Sequence, residues 1–353
     1  FPMPRWLRKR RRALQLALLA RQDPDSLLRL SRKRLARTYA RALAASPAYQ
    51  QLASEAGLDP NRRLEAEQVL ARAPVLEKKD LFERFPVRDL LRRDLQPADL
   101  ANVLTSSGYG GGKFAFGMAT ALQMQRTPDD IDLGLQLAFD IDSRSTLLVN
   151  CLPMGVVFTS RDVCVANVSV REDMALAILD QAGPLYDQVI LCVDPLFCKR
   201  LLDYAAERSF DWSRLRTNLV IGEETFPEDF RSYVAACLEV EPEAPDGPLL
   251  GSSMGVGELG LNLFFETRET IALRRCLHAA APDEFQPAFF CFNPLRTHVE
   301  VLAPGEDGVG DLVITMLDTD APIPMIRYRT GDRARWVTAG EHQALAPVVR
   351  DAL

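Results

Sequence analysis

The stretch "DQVILCVDPLFCKRLLDYAAERSF", Asp187 to Phe210, decides the fold. Its first eight residues are almost wholly apolar and are too few for a buried helix, so they predict a strand covered on both faces. Pro195 then stands where a helix accepts proline, at its first position, and the residues after it repeat with helical spacing. The same unit recurs on either side. "STLLVNCL" (Ser145 to Leu152) is a short buried strand, and "REDMALAILDQAG" (Arg171 to Gly183) an amphipathic helix closed by glycine. "TNLVIGEE" (Thr217 to Glu224) is a third strand, "PEDFRSYVAACLE" (Pro227 to Glu239) a third helix opening on proline, and "GPLLGSS" (Gly247 to Ser253) a fourth strand. Strands joined by helices of these lengths require right-handed crossovers, hence α/β architecture: a mainly parallel sheet with helices on both faces.

Outside this body the pattern changes. Leu27, Leu28, Leu30, Leu35, Tyr39 and Leu43 keep helical spacing, and "SPAYQQLASEAGLDP" ends a helix at Gly57. Downstream, "AFFCFNPLRTHVEVL" and "GVGDLVITML", joined by the turn "APGEDG", predict antiparallel strands and a β-rich subdomain. The expected division is a basic lead over residues 1–23 and a large domain over 24–340. Within the latter, 24–95 is a helical start, 96–250 the parallel α/β part and 251–340 the β-rich part.

The chain has 353 residues, 25% of them charged, with a net charge of −6, so bulk charge gives no reason to expect nucleic acid as a partner. The local exception is "RWLRKRRRALQLALLARQ" (Arg5 to Gln22), six basic residues ahead of an apolar run. A membrane surface is one partner for such a helix, but a solvated basic lead-in is the preferred reading. The apolar run is too short to span a bilayer. Seven cysteines, an odd number set mostly in apolar runs, predict a reduced, cytoplasmic protein.

Open parallel sheets bind ligands beyond the carboxyl ends of their strands. Those ends carry "CLPMG", "VDP", "GEE" and "GSSMGVGE", whose glycines permit close approach to a polar ligand. A further glycine loop, "LTSSGYGGGKF" (Leu104 to Phe114), gathers Thr105, Ser106, Ser107 and Lys113. It is not a Walker loop, because residue 107 is serine and residue 114 is phenylalanine. Its glycines can still converge backbone N–H groups on an anion, the plainer alternative being a flexible turn. "GSSMG" (Gly251 to Gly255) satisfies the G-x-S-x-G elbow of serine hydrolases, although Gly257 and Gly260 disfavour the helix that should follow. Cys276, His278 and Cys291 are donors that suit zinc, but their spacing is irregular and buried thiols are the preferred reading.

Several of these stretches together resemble the adenylate-forming superfamily, and within it the phenylacetate–CoA ligase branch. "SPAYQQLASEAGLDP" with "APVLEKKDLFERFP" resembles that branch's N-terminal signature. "SSGYGGGKFAFGMAT" resembles its phosphate loop, usually close to S-S-G-T-T-G-K-P. "IGEETF" resembles the segment beside the adenine, and "LGSSMGVGELG" takes the place of Y-G-x-[ST]-E. "GEDGVGDLVITMLDTDAPIPMIRYRTGD" (Gly305 to Asp332) is the closest match. The resemblance implies the fold of the superfamily's large domain and ATP-dependent activation of an aryl or acyl carboxylic acid as an acyl-adenylate. Transfer to a thiol follows, that of coenzyme A or of a carrier protein.

By the same resemblance, Ser106, Ser107, Gly108 and Gly111 would wrap the phosphates of ATP with Lys113 nearby. Gly222, Glu223 and Glu224 would border the adenine of ATP or AMP. Gly251 and Ser252 would line the same site, Ser253 would meet the α-phosphate, and Asp332 would hold the ribose hydroxyls. "LPMGVVF", including Pro153, Met154, Gly155 and Phe158, would face the acid. Such a site needs the carboxylate placed in line with the α-phosphate more than it needs covalent chemistry from the protein. The departures are specific. Met254 replaces the acidic residue that helps hold Mg2+, with Glu258 as a substitute four residues on, and Tyr109 and Gly110 replace two loop hydroxyls. The lysine-bearing C-terminal lid of the superfamily is expected beyond residues 341–353, since no lysine follows Lys199. Homodimers are common in the branch. The alternatives are a lapsed ligase that binds nucleotide or acyl groups, and a serine hydrolase acting through Ser253.

Overall fold

In the computed structural model, which describes residues 3–105, 114–153, 156–241, 244 and 246–352, the chain opens with a helical block. This comprises α1 (Arg5–Ala20), α2 (Pro24–Ala45), α3 (Pro47–Glu55), α4 (Ala66–Arg72) and α5 (Val87–Leu90). A hairpin of β1 (Leu100–Thr105) and β2 (Phe116–Thr120) leads into α6 (Ala121–Phe139). Then come β3 (Thr146–Asn150), β4 (Cys164–Asn167), α7 (Glu172–Gln181), β5 (Gln188–Val193), α8 (Pro195–Glu207), β6 (Thr217–Ile221) and α9 (Glu228–Cys237). The remainder is β7 (Leu250–Val256), β8 (Gly260–Phe265), α10 (Arg268–Ala280), β9 (Cys291–Phe292), β10 (Thr297–Leu302), β11 (Gly310–Met316), β12 (Tyr328–Ala334) and α11 (Ala339–Ala352).

The main sheet has the order β4-β3-β5-β6-β7-β8-β9. Its first five strands are parallel, and β8 and β9 extend it antiparallel. Alternation explains why these strands read as unbroken apolar runs. Leu147, Val149, Val189, Leu191 and Val193 face one layer, packed with Leu176, Phe197, Leu201 and Val234 of α7, α8 and α9. Leu148, Ile190 and Cys192 face the opposite layer, with Leu135 and Phe139 of α6 and Ile271 of α10. Burying one such side chain stabilises by roughly 1.5–3 kcal/mol relative to exposure, and the polar side chains these strands do bury, Asn150, Gln188 and Asn218, are hydrogen-bonded. Asp194 caps α8, accepting the Phe197 N–H at 2.8 Å, with Pro195 at the first turn. The predicted β-rich region is an antiparallel sheet of order β10-β11-β12 packed on the N-terminal helices.

Three expectations change. The fourth predicted strand, Gly247 to Ser253, is found as β7 three residues further along, ending at Val256 and pairing there with β8. Helix α6 has no counterpart among the sequence-predicted elements and contains Pro128. The basic lead is solvated only in part, Arg5, Arg10 and Arg11 being exposed. Arg12 is buried and its Nη1 lies 2.6 Å from Asp162 Oδ2, it also pairs with Asp142, and Arg8 Nη2 lies 2.6 Å from Asp162 Oδ1. All seven cysteines are free thiols, and among the described residues no helix is long and apolar enough to cross a membrane.

One core contact makes stability depend on pH. His298 of β10 is buried, and its Nδ1 lies 2.9 Å from the Ser31 hydroxyl of α2. Burial, then the charges of Arg32 and Arg327, push its pKa down to about 4. The unfolded chain therefore binds the extra proton first, and stability present above pH 6.5 is lost as pH falls toward 4. The loss is about 3 kcal/mol at full protonation. Chemical denaturation at several pH values should show this slope in the wild type and a flatter one in His298→Asn. Equal slopes would remove His298 as the cause.

Candidate active site

The chain runs from β3 outward to β4 and returns to β5 on the other side of β3, which places a crevice at the carboxyl ends of the central strands. Leu152 follows β3, Gly222 follows β6, and Ser253 lies within β7. The structure brings these three together. A Cβ added at Gly222 would stand 3.6 Å from both the backbone oxygen and the hydroxyl of Ser253, and 3.9 Å from Leu152 Cδ2. Gly222 is thus a buried position at which a methyl group would touch an apolar wall on one side and a hydroxyl on the other. Its N–H donates to Val193 O at 2.9 Å, which fixes it to β5.

The acidic residues after Gly222 are held in an uncommon conformation. Glu223 has a left-handed backbone at φ 69°, a strain that non-glycine residues adopt chiefly where the surroundings impose it. Partial burial, then the charges of Asp194 and Glu224, raise its pKa above the usual carboxylate range. Below this loop lies a group of four charges that sequence reading missed. Arg231, Glu228, Glu266 and Arg274 have side chains no more than 2% exposed. Arg231 stands 2.9 Å from a carboxylate oxygen of Glu228 and 2.9 Å from one of Glu266, and also donates to Leu250 O. Arg274 Nη2 donates to Phe226 O at 2.6 Å. Glu266 accepts the Ser252 N–H at 2.8 Å and returns its own N–H to Ser252 O at 2.9 Å. The quartet therefore fastens both sides of the crevice, the Glu223–Phe226 loop and the Gly251–Ser253 strand. A signal was present, because Glu228 and Arg231 fall on the same stripe of α9 as buried Val234 and Ala235.

The wall expected for an acid is split. Leu152 and Val156 pack into the core, Phe158 packs at its edge, and Val157 faces solvent. The segment is pinned by Asn150 Nδ2 donating to Val156 O at 2.7 Å and by the Phe158 N–H donating to Asn167 Oδ1 at 3.0 Å. Pro153 is half-buried beside it. Met154 and Gly155 lie outside the described residues, as do Ser106, Ser107, Gly108, Gly111 and Lys113 of the glycine loop.

The hairpin that carries that loop can nevertheless be placed. A Cβ at Gly117 of β2 would come within 3.0 Å of Glu258 O and 3.3 Å of Gly257 O, so β2 lies directly on the β7–β8 turn. The same turn holds β12, because the Tyr328 hydroxyl donates to Glu258 Oε1. Asp332 is exposed further along β12, its N–H donated to Thr330 Oγ1 at 3.1 Å. One turn thus joins the loop-bearing hairpin, the strand of Ser253 and the strand of Asp332.

These contacts also test the expected metal. Met254 packs against the apolar core, and the Glu258 carboxylate is buried and engaged by Tyr328. Met254 offers no magnesium ligand, Glu258 keeps a second carboxylate oxygen beyond its bond to Tyr328, and among the described residues no group of three or more acidic, cysteine or histidine side chains could hold a metal ion. The zinc donors do not converge. Cys276 and His278 sit two apart on α10 and so on different faces, His278 Nε2 is 3.1 Å from Asp229 Oδ1, and Cys291 is in β9. The hydrolase elbow is absent as well. Gly251 to Gly255 lie in the uninterrupted strand β7, with no sharp turn to lift Ser253, and a hairpin into β8 follows in place of a helix.

Neither a family model nor a curated protein matches the sequence. Solved structures do match. An open conformation of 2-hydroxyisobutyryl-CoA ligase in complex with 2-HIB-AMP and CoA superposes with a TM-score of 0.65 at 16% identity, covering 87% of this chain and 64% of that one. The thioesterification state of the same ligase gives 0.65 at 15% identity, over 90% and 65%. Its postadenylation state with 2-HIB-AMP gives 0.62 at 16% identity, over 87% and 62%. The chain therefore has the fold of the large domain of adenylate-forming enzymes, and it spans less than two thirds of the length of these ligases.

Proposed function

We propose that this chain is the nucleotide- and acid-binding body of an enzyme that activates an aryl or acyl carboxylic acid as its adenylate and passes the acyl group to a thiol, most simply that of coenzyme A. The observation that carries the reading is the meeting of Leu152, Gly222 and Ser253 at the strand ends of this fold. In this reading the crevice beside Gly222 takes the flat base, with Glu223 and Glu224 at its edge. The Ser253 hydroxyl donates to the α-phosphate, and Asp332 accepts from the ribose hydroxyls. Ser106, Ser107, Gly108, Gly111 and Lys113 supply donors to the departing pyrophosphate. Pro153, Met154, Gly155 and Phe158 border the acid. A site of this kind works by holding the carboxylate in line with phosphorus and stabilising charge on the leaving group.

A second reading has its own support. Met254 faces the core and carries no carboxylate, and Glu258 is buried with one oxygen bonded to Tyr328, so the motif offers a cation at most one carboxylate. A protein that binds adenylates without forming them would show this. ATP–pyrophosphate exchange on the natural full-length protein, with a panel of aryl and acyl acids, separates the two. Exchange that depends on one class of acid is the expected result and names the substrate class. Micromolar AMP binding with no exchange for any acid would replace the ligase by the binding module, and absence of both would overturn the nucleotide site itself.

A further inference from the structure

Helix α1 is inverted. Its protein-facing side is basic: Arg8 and Arg12 pair with Asp162 and Asp142, and Lys9 donates to Asp142 O. With the cations turned inward, the residues at three- and four-residue spacing on the other side face solvent. They are Met3, Trp6, Leu7, Leu14 and Leu18, of which Trp6 is 65%, Leu14 61% and Leu18 50% exposed. An apolar stripe of this kind on a surface helix needs a partner.

The charges around the stripe select the partner. Arg10 is exposed and falls in the stripe itself, between Leu7 and Leu14. Arg11 borders it, its side chain 50% exposed and 3.4 Å from Asp129, whereas Arg5 lies on the inner side with Arg8 and Arg12, 3.6 Å from Asp162. The Arg10 guanidinium set among leucines and an exposed tryptophan, with Arg11 at the border, matches the boundary of a bilayer, where acyl chains meet phosphates. A second copy is a poorer fit. Antiparallel pairing about the middle of the stripe would bring Arg10 close to its own symmetry mate. The area is also too small, since sixteen residues give a helix about 24 Å long and, at about 10 Å wide, a total burial of about 500 Å² against the roughly 1,000 Å² of a stable interface. We infer that α1 is an interfacial helix by which the protein rests on an anionic lipid surface. This does not depend on the reading of the nucleotide site.

Flotation of the full-length protein with vesicles tests it. Binding is expected to vesicles of phosphatidylcholine with about one third phosphatidylserine, and not to phosphatidylcholine alone. Leu14→Glu with Leu18→Glu should lower the bound fraction by about tenfold or more, because two apolar anchors become like-charged to the surface. Arg10→Glu should lower it as well. Leu185→Glu, a change at a residue 77% exposed elsewhere, should leave it unaltered. These side chains face solvent, so circular dichroism should show all variants folded. Failure to bind either vesicle, or binding that survives the double leucine change, would overturn the assignment. A concentration-dependent dimer abolished by the same change would give the stripe to a second copy instead.

Discussion

Arg231→Met should destabilise the protein by about 3–5 kcal/mol, the cost of leaving buried carboxylates without their partner. Arg231 is the only group of the quartet in hydrogen-bond contact with both glutamates and with the Leu250 carbonyl. Arg274, 3.2 Å from Glu228 and 3.6 Å from Glu266, keeps a charge beside both but already donates to Phe226 O and cannot replace the hydrogen bonds that Arg231 gives to Glu266 and Leu250 O. Arg231→Lys should recover little, since an ammonium cannot present the planar fork that reaches two carboxylates and a carbonyl at once. The comparison is Lys199→Met, which breaks an exposed pair with Asp203 at 2.6 Å and should cost under about 1 kcal/mol. Urea unfolding reads both, as a lower midpoint at unchanged slope. A loss under about 1 kcal/mol for Arg231→Met would show that water or rearranged side chains satisfy the glutamates, and the quartet would cease to explain how the crevice is held.

That quartet shows where sequence reading stops. Strands β3, β5 and β6 were legible because burial on both faces leaves a short unbroken apolar run, with polar residues such as Asn150, Gln188 and Asn218 only toward the ends. Glu228 and Arg231, three apart on a helix, read as an ordinary surface pair, and only Glu266 and Arg274 from other elements make them a core. Helix α6 was hidden by Pro128 and by the acidic residues Asp129, Asp130 and Asp132. The last of these is buried and accepts from the Ser160 hydroxyl and the Arg161 N–H. The orientation of α1 was set by aspartates 130 and 150 residues away, so its own composition pointed the wrong way. Site legibility divides similarly. Strand-end motifs named Gly222 and Ser253, because parallel sheets place ligands there. The fate of G-S-S-M-G depended on pairing with β8, which local spacing does not encode. The placement of Asp332 depended on Tyr328 reaching Glu258 across 70 residues.

Gly222→Leu should abolish AMP binding while the protein stays folded. Gly222 is not in a left-handed conformation, and a Cβ there would meet its neighbours at 3.6 Å or more, an ordinary contact. Gly222→Ala is therefore accommodated and should weaken AMP by about tenfold, the low end of the roughly 10- to 200-fold that a single methyl in a pocket is worth. The branched leucine must place its methyls somewhere. Ser253 stands on one side at 3.6 Å and Leu152 on the other at 3.9 Å, and in the proposed site the base enters between them, so the leucine would compete with it for that space. Filling that space should cost about a hundredfold or more in affinity, a ligand displaced by even 1 Å losing its alignment. Gly310→Ala is the structural control. Its Cβ would sit 2.3 Å from Leu302 O, so it should lower the unfolding midpoint without a selective effect on AMP. Calorimetric titration with AMP, alongside thermal unfolding of each variant, distinguishes the cases. If Gly222→Leu unfolds, the graded loss in Gly222→Ala still reports on the crevice. If both bind AMP as the wild type does, the nucleotide lies elsewhere, and Ser253 loses its role with Gly222.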